Sequence, residues 1–165
     1  MDGGAGILSA NHGSAMVTRE KFEEFLVLLA RLRETVAESG ALVLVEGERD
    51  RRALSQIGLP RESLLVLNEG HPLSEVADRL VARGRPVILL TDWDAKGTHL
   101  LRSLLRLLQG SRVTVDSETR RQLGRVVRGD LLSVEALSGW TTRHCETFRL
   151  PLPEEALGAP RPTTG

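Results

Sequence analysis

The sequence predicts an α/β fold: a central parallel sheet of about four strands, flanked by helices and preceded by an N-terminal amphipathic helix. Three observations carry this. Unbroken apolar runs at residues 41–45, 64–67 and 87–90 have strand length and no alternation, as in strands covered on both faces. Between them lie segments whose apolar residues recur at three- and four-residue steps. Glycine or proline marks most junctions, at Gly40, Gly58, Pro60, Gly84, Pro86 and Gly110.

In order, Thr18 is placed to cap a helix running to Ser39, with Phe22, Phe25, Leu26, Leu29, Leu32 and Val36 on one face and Gly40 as its stop. The first strand, 41–45, follows. A short helix over about 50–57 ends at Gly58 and Pro60, and 64–67 is the second strand. Pro72 suits a first helical position, and Val76, Ala77, Leu80 and Val81 form the buried face of that helix. Pro86 opens the third strand, 87–90. Residues 95–109 are a leucine-rich helix, 112–115 a fourth strand, and Ser117 and Ser133 the caps of two short helices. The expected organisation is a flexible leader (1–15), an N-terminal helix (16–39), an α/β domain (40–125), a helical extension (126–150) and a proline-rich tail (151–165).

Composition removes several functions. The 165 residues include no tyrosine, so a tyrosine nucleophile is excluded. Only Phe22, Phe25, Trp93, Trp140 and Phe148 are aromatic, too few for a base-stacking platform. A single cysteine, Cys145, makes neither an internal disulfide nor a thiolate metal site. No apolar run approaches the ~20 residues of a membrane span, and no signal-like start is present, so a cytoplasmic protein is expected.

In a parallel sheet the chemistry gathers beyond the carboxyl ends of the strands. Glu46 ends the first strand, and Asp92 and Asp94 follow the third. Residues i and i+2 of an extended segment share a face, so both aspartates can point the same way. Neighbouring strands lie ~4.8 Å apart, which would set Glu46 against that pair. Three carboxylates so close need protons or a cation, and an all-oxygen set suits Mg²⁺. On the other side, Asp94 is also placed simply to cap the 95–109 helix.

The two motifs, Val45-Glu46-Gly47-Glu48-Arg49-Asp50 and Leu90-Thr91-Asp92-Trp93-Asp94-Ala95-Lys96-Gly97, resemble those of the Toprim domain over about residues 40–125. The size and the N-terminal helix are most similar to small stand-alone Toprim proteins. The Glu-Gly-x-x-Asp form and Asn68-x-Gly70 are also similar to the Toprim ribonuclease that matures 5S ribosomal RNA. The resemblance implies a Rossmann-like sheet and one or two Mg²⁺ ions, with Mn²⁺ as a substitute. It implies Glu46 as acid/base and metal ligand, and Asp92 and Asp94 as metal ligands. By the same resemblance Gly47 lets the backbone turn near the site, and Gly97 brings backbone close to phosphate. Asp50 is a supporting residue or a helix-dipole partner. Lys96 stands where topoisomerase-type members carry a further acid, and either holds phosphate or is simply solvated.

The balanced charge, 22 basic against 22 acidic, hides an asymmetry. Residues 1–98 hold 12 Lys plus Arg and 15 Asp plus Glu; residues 99–165 hold 10 and 7. Arg120 and Arg121, just past the fourth strand, are candidate phosphate contacts. Two functions follow: Mg²⁺-dependent phosphodiester chemistry on RNA or DNA, as a nuclease or RNA-processing enzyme, or a non-catalytic metal and nucleic-acid binding module in a larger assembly. The N-terminal helix is a candidate surface for a protein partner.

Overall fold

The computed structural model describes residues 16–67 and 70–153. The expected leader, Asn68 and most of the proline-rich tail lie outside the described residues. The chain runs α1 (Arg19–Ser39), β1 (Leu42–Val45), α2 (Glu48–Gln56), β2 (Leu64–Val66), α3 (Leu73–Arg83), β3 (Val87–Leu89), α4 (Ala95–Leu108), β4 (Val115–Asp116), α5 (Glu118–Val127) and α6 (Leu137–Phe148), with a 3₁₀ turn at Arg61–Ser63.

All four strands are parallel, in the order β2-β1-β3-β4. The chain leaves β1 toward β2 and then returns to the other side of β1 for β3. The strand order therefore reverses between β1 and β3, which is where such sheets open a crevice. Leu44 lies level with Leu89, so Glu46 leaves β1 level with Thr91.

Successive strand residues serve opposite faces. Val43, Val45, Ile88 and Leu90 join one core, with the apolar faces of α1, α2, α5 and α6. Leu44, Val87 and Leu89 join the other, under α3 and α4. This double burial explains why the strands read as unbroken apolar runs.

Helix α1 forms as expected. Thr18 Oγ1 accepts the Lys21 N–H at 3.2 Å, and Gly40 closes the helix in the left-handed region at φ 68°. Its apolar stripe is covered by the chain's own C-terminal helices. Phe25 meets Trp140 edge-on at 4.8 Å, and Phe22 lies 5.4 Å from Trp140 and 5.8 Å from Phe148. The apolar stripe of α1 is thus occupied within the chain.

Some boundaries differ from expectation. β4 comprises Val115 and Asp116 rather than 112–115, because β3 is short and its register reaches only those two residues. Helix α2 begins at Glu48, which places Asp50 in its first turn. Pro72 is the residue before α3, and Leu73 is its first. Helix α6 begins at Leu137, and Ser133 lies in the turn before it. Ser117 makes no capping bond; Asp116 instead accepts the Glu118 and Thr119 N–H groups at 2.7 and 3.1 Å. The first residues of the expected tail are docked: Arg33 Nη1 donates to the Pro153 carbonyl at 3.0 Å. No helix among the described residues is long and apolar enough to cross a membrane.

Candidate metal centre

Glu46, Asp92 and Asp94 converge beyond β1 and β3, with one carboxylate oxygen of each within 4.8 Å of the others. Each is held by a backbone N–H. Glu46 Oε2 accepts from Asp92 N at 2.7 Å. Asp92 Oδ1 accepts from Val134 N at 2.8 Å. Asp94 Oδ1 accepts from Gly97 N at 2.7 Å, capping α4. No other N–H and no hydroxyl of the described residues donates to these carboxylates, and the Glu46 and Asp92 carboxyls lie close enough to share a proton. Asp94 therefore does both things its sequence position allows: it caps a helix and joins the acidic cluster.

Electrostatics at this cluster are unfavourable for three free anions. Burial pushes the Glu46 carboxyl above its usual range, and the charges of Asp92 and Asp94 push the same way against the Asp92 N–H. Asp50, 6% exposed, is also raised, first by burial and then by the Asp92 charge. It accepts the Gly47 N–H at 3.0 Å, and this bond and the nearby Glu135 backbone offset part of that. Asp50 thus lies between the β1–α2 turn and the connector before α6.

The two glycines of the motifs differ. A Cβ on Gly97 would stand 2.0 Å from the Asp92 carbonyl oxygen, so the start of α4 lies directly on the backbone of the aspartate loop. Thr91 Oγ1 strengthens that contact by donating to the Gly97 carbonyl at 2.7 Å. Gly47 is extended at φ −145°, a conformation open to any residue, and a Cβ there would meet nothing nearer than Asp50 Oδ2 at 3.9 Å.

The three candidate phosphate contacts separate. Lys96 is exposed in the first turn of α4 and makes no ion pair among the described residues. Arg121 is exposed and pairs with Glu118 at 2.8 Å. Arg120 is 8% exposed, and its guanidinium faces inward. Its Nε donates to the Thr91 carbonyl at 2.9 Å, and its Nη2 to the Asp92 carbonyl at 2.6 Å and Thr98 Oγ1 at 3.2 Å. Burial lowers its proton affinity, while the charges of Glu46, Asp92 and Asp94 raise it. Arg120 is a cation set behind the carboxylates.

Sequence reasoning missed two supports. Trp93, between the aspartates, turns to the opposite side of the loop and packs on α5. Its indole N–H donates to the Arg120 carbonyl at 2.8 Å, and a Cβ on Gly124 would lie 2.6 Å from its ring. The usable signal was a mid-helix glycine near a bulky residue that must bury away from the acids. The second support is the connector between α5 and α6. Leu132 O accepts the Trp93 N–H at 2.8 Å, Val134 donates to Asp92, and the Glu135 backbone lies beside Asp50. No local pattern marks it.

The Toprim domain model matches residues 41–119. A UPF0292 protein of Thermococcus gammatolerans is 41% identical over 120 residues, covering 73% of this chain and 85% of that protein. A UPF0292 protein of Pyrococcus horikoshii is 35% identical over 138 residues, covering 84% and 98%. A solved structure of a protein from Aquifex aeolicus superposes with a TM-score of 0.54 at 27% identity, covering 66% of this chain and 94% of that one. With the β2-β1-β3-β4 sheet and acids at its switch point, these similarities show that the chain belongs to the UPF0292 group of small Toprim-domain proteins.

Proposed function

We propose that Glu46, Asp92 and Asp94 hold a divalent cation, Mg²⁺ with Mn²⁺ as substitute, and that the site cleaves phosphodiester bonds in RNA or DNA. One observation carries the reading: three carboxylates each anchored through one oxygen to a backbone N–H, with the other oxygen left for a ligand. The donor set fits a hard cation, being all oxygen and electrostatically strained without one. Such an ion would polarise a phosphoryl oxygen and neutralise the charge that develops during displacement.

The chain's own residues supply the rest. Glu46 also serves as the acid/base: Oε1, not used by the Asp92 N–H, takes up a proton when it is not holding the cation, and its raised pKa suits that role. Val134 N–H and Gly97 N–H fix the two aspartates, so the ligand set is arranged before substrate arrives. Arg120 pins the carbonyls of Thr91 and Asp92 and holds the loop against α5. Asp50 orients the turn that carries Glu46 by holding the Gly47 N–H.

A second reading, a binding module without catalysis, draws support from Lys96. An ammonium occupies the position where topoisomerase-type members would offer a further carboxylate, which favours a single ion. The test is a Mg²⁺ and Mn²⁺ titration with labelled RNA and DNA, comparing wild type, Glu46→Gln and Asp92→Asn. Cleavage that disappears in both variants supports the enzyme. Metal-dependent binding with no cleavage of any substrate supports the module.

A further inference from the structure

A groove of about 420 Å³ opens on the far side of the aspartate loop, lined by Trp93, Arg120, Arg121, Gly124, Arg125 and Arg128. We infer that this α5 groove is a track for the phosphodiester backbone of a nucleic-acid strand, read by charge and not by base identity. The inference rests on the proposed phosphodiester chemistry and adds where the strand lies.

Position is the first argument. Trp93 lies between Asp92 and Asp94, and Arg120 in the groove wall bonds the Asp92 carbonyl. The groove and the acidic cluster therefore border one loop, with Trp93 and Arg120 belonging to both the loop's support and the groove wall.

Charge is the second. Arg125 and Arg128 are exposed and form no ion pair among the described residues. Arg121 has only an exposed partner, Glu118, an interaction weak enough to be exchanged for phosphate. Arginine matches phosphate oxygens with a planar fork of donors.

Spacing is the third. Residues 121, 125 and 128 stand at i, i+4 and i+7, one face of a helix, and span ~10.5 Å at ~1.5 Å per residue. Stacked nucleic acid advances ~3.4 Å per phosphate on each strand, so the row covers about three phosphates. The aromatic content fixes the mode of reading. Trp93, the only aromatic lining the groove, is 7% exposed; Trp140, Phe22 and Phe25 are at most 1% exposed, and partly buried Phe148 lies on α6, away from the groove lining.

The test is fluorescence anisotropy with labelled single-stranded RNA and DNA of mixed sequence, in EDTA, across a salt series. Three variants are compared with wild type: Arg125→Ala/Arg128→Ala, the rescue Arg125→Lys/Arg128→Lys, and Arg102→Ala/Arg106→Ala on α4 as a charge-matched control. Removing two phosphate contacts should lower the slope of log K against log salt by about 1.4, since each contact to a single strand contributes ~0.7. The lysine pair should restore the slope and the α4 pair should keep it. Unfolding midpoints of all variants show that the exposed substitutions leave the fold intact. If wild type binds but the Ala pair retains its slope and affinity, the track is overturned while the metal chemistry stands. If wild type binds no nucleic acid in EDTA, or binds vesicles of anionic phospholipid in its place, the track is overturned, while the proposed function stands or falls on the Mg²⁺ and Mn²⁺ titration.

Discussion

Arg120 donates through Nη2 to the carbonyl oxygen of Asp92 at 2.6 Å, so a buried cation holds the backbone of a candidate ligand. The same guanidinium also satisfies Thr91 O and Thr98 Oγ1. Arg120→Ala would leave these acceptors without their donor and uncover a buried site. It should lower the unfolding free energy by about 2–4 kcal/mol, read from urea midpoints. Arg120→Lys should recover only part of this, because an ammonium cannot reproduce the fork. Stability unchanged by Arg120→Ala would refute the positioning role.

The two motif glycines should separate under substitution. At Gly97 a methyl group would overlap the Asp92 carbonyl, so Gly97→Ala should cost more than about 3 kcal/mol or prevent folding. At Gly47 the backbone is extended and the space is open. Gly47→Ala should stay within about 1 kcal/mol of wild type. Equal losses in thermal unfolding would show that this packing is misread.

Trp93 and Gly124 should be energetically coupled. A methyl group on Gly124 would meet the indole ring at 2.6 Å. Gly124→Ala should destabilise by about 1–3 kcal/mol in wild type, and by clearly less where Trp93→Leu has already removed the ring. A double-mutant cycle that closes with strict additivity would mean the ring does not rest there.

Acid should stabilise the metal-free site, and a divalent cation should do so at neutral pH. Glu46 and Asp50 both have folded pKa values raised above their ordinary carboxylate values. The folded state then binds these protons more tightly than the unfolded state. Their contribution is most favourable below the ordinary carboxylate pKa and is lost as pH rises through the raised values. Melting temperature in EDTA should therefore show a falling component with pH over that window, flattened by Glu46→Gln. At neutral pH Mg²⁺ should raise the melting temperature of wild type, by the equivalent of about 2.7 kcal/mol at a hundredfold excess over Kd. The gain should shrink in Asp92→Asn. No Mg²⁺ effect on wild type would count against the ligand set.

The strands, the order of the elements and the acidic cluster were legible because they depend on local pattern. Unbroken apolar runs signal two covered faces, and acids directly after strands fall at one edge of a parallel sheet whatever surrounds them. Arg120 was legible as a residue but not in its role. A pair of adjacent arginines looks like a basic edge, and only the packing of α5 on the loop turns one inward and leaves the other outside. The contribution of Val134 was invisible because a backbone N–H carries no side-chain signature, and it comes from 42 residues away. Short β4 was misplaced because its register is dictated by β3 and not by its own valines.

The Val134 N–H to Asp92 bond also orders events during synthesis. The family match ends at residue 119, yet one oxygen of a central carboxylate has no donor until the chain has grown past residue 134. On a ribosome the sheet can pair once β4 has emerged, while the acidic cluster must wait for the connector and for α6 to dock behind it. The nascent protein would thus pass through a stage with a formed sheet and an unfinished centre. Any metal-dependent activity would switch on only after residue 134 has emerged and its N–H has reached Asp92.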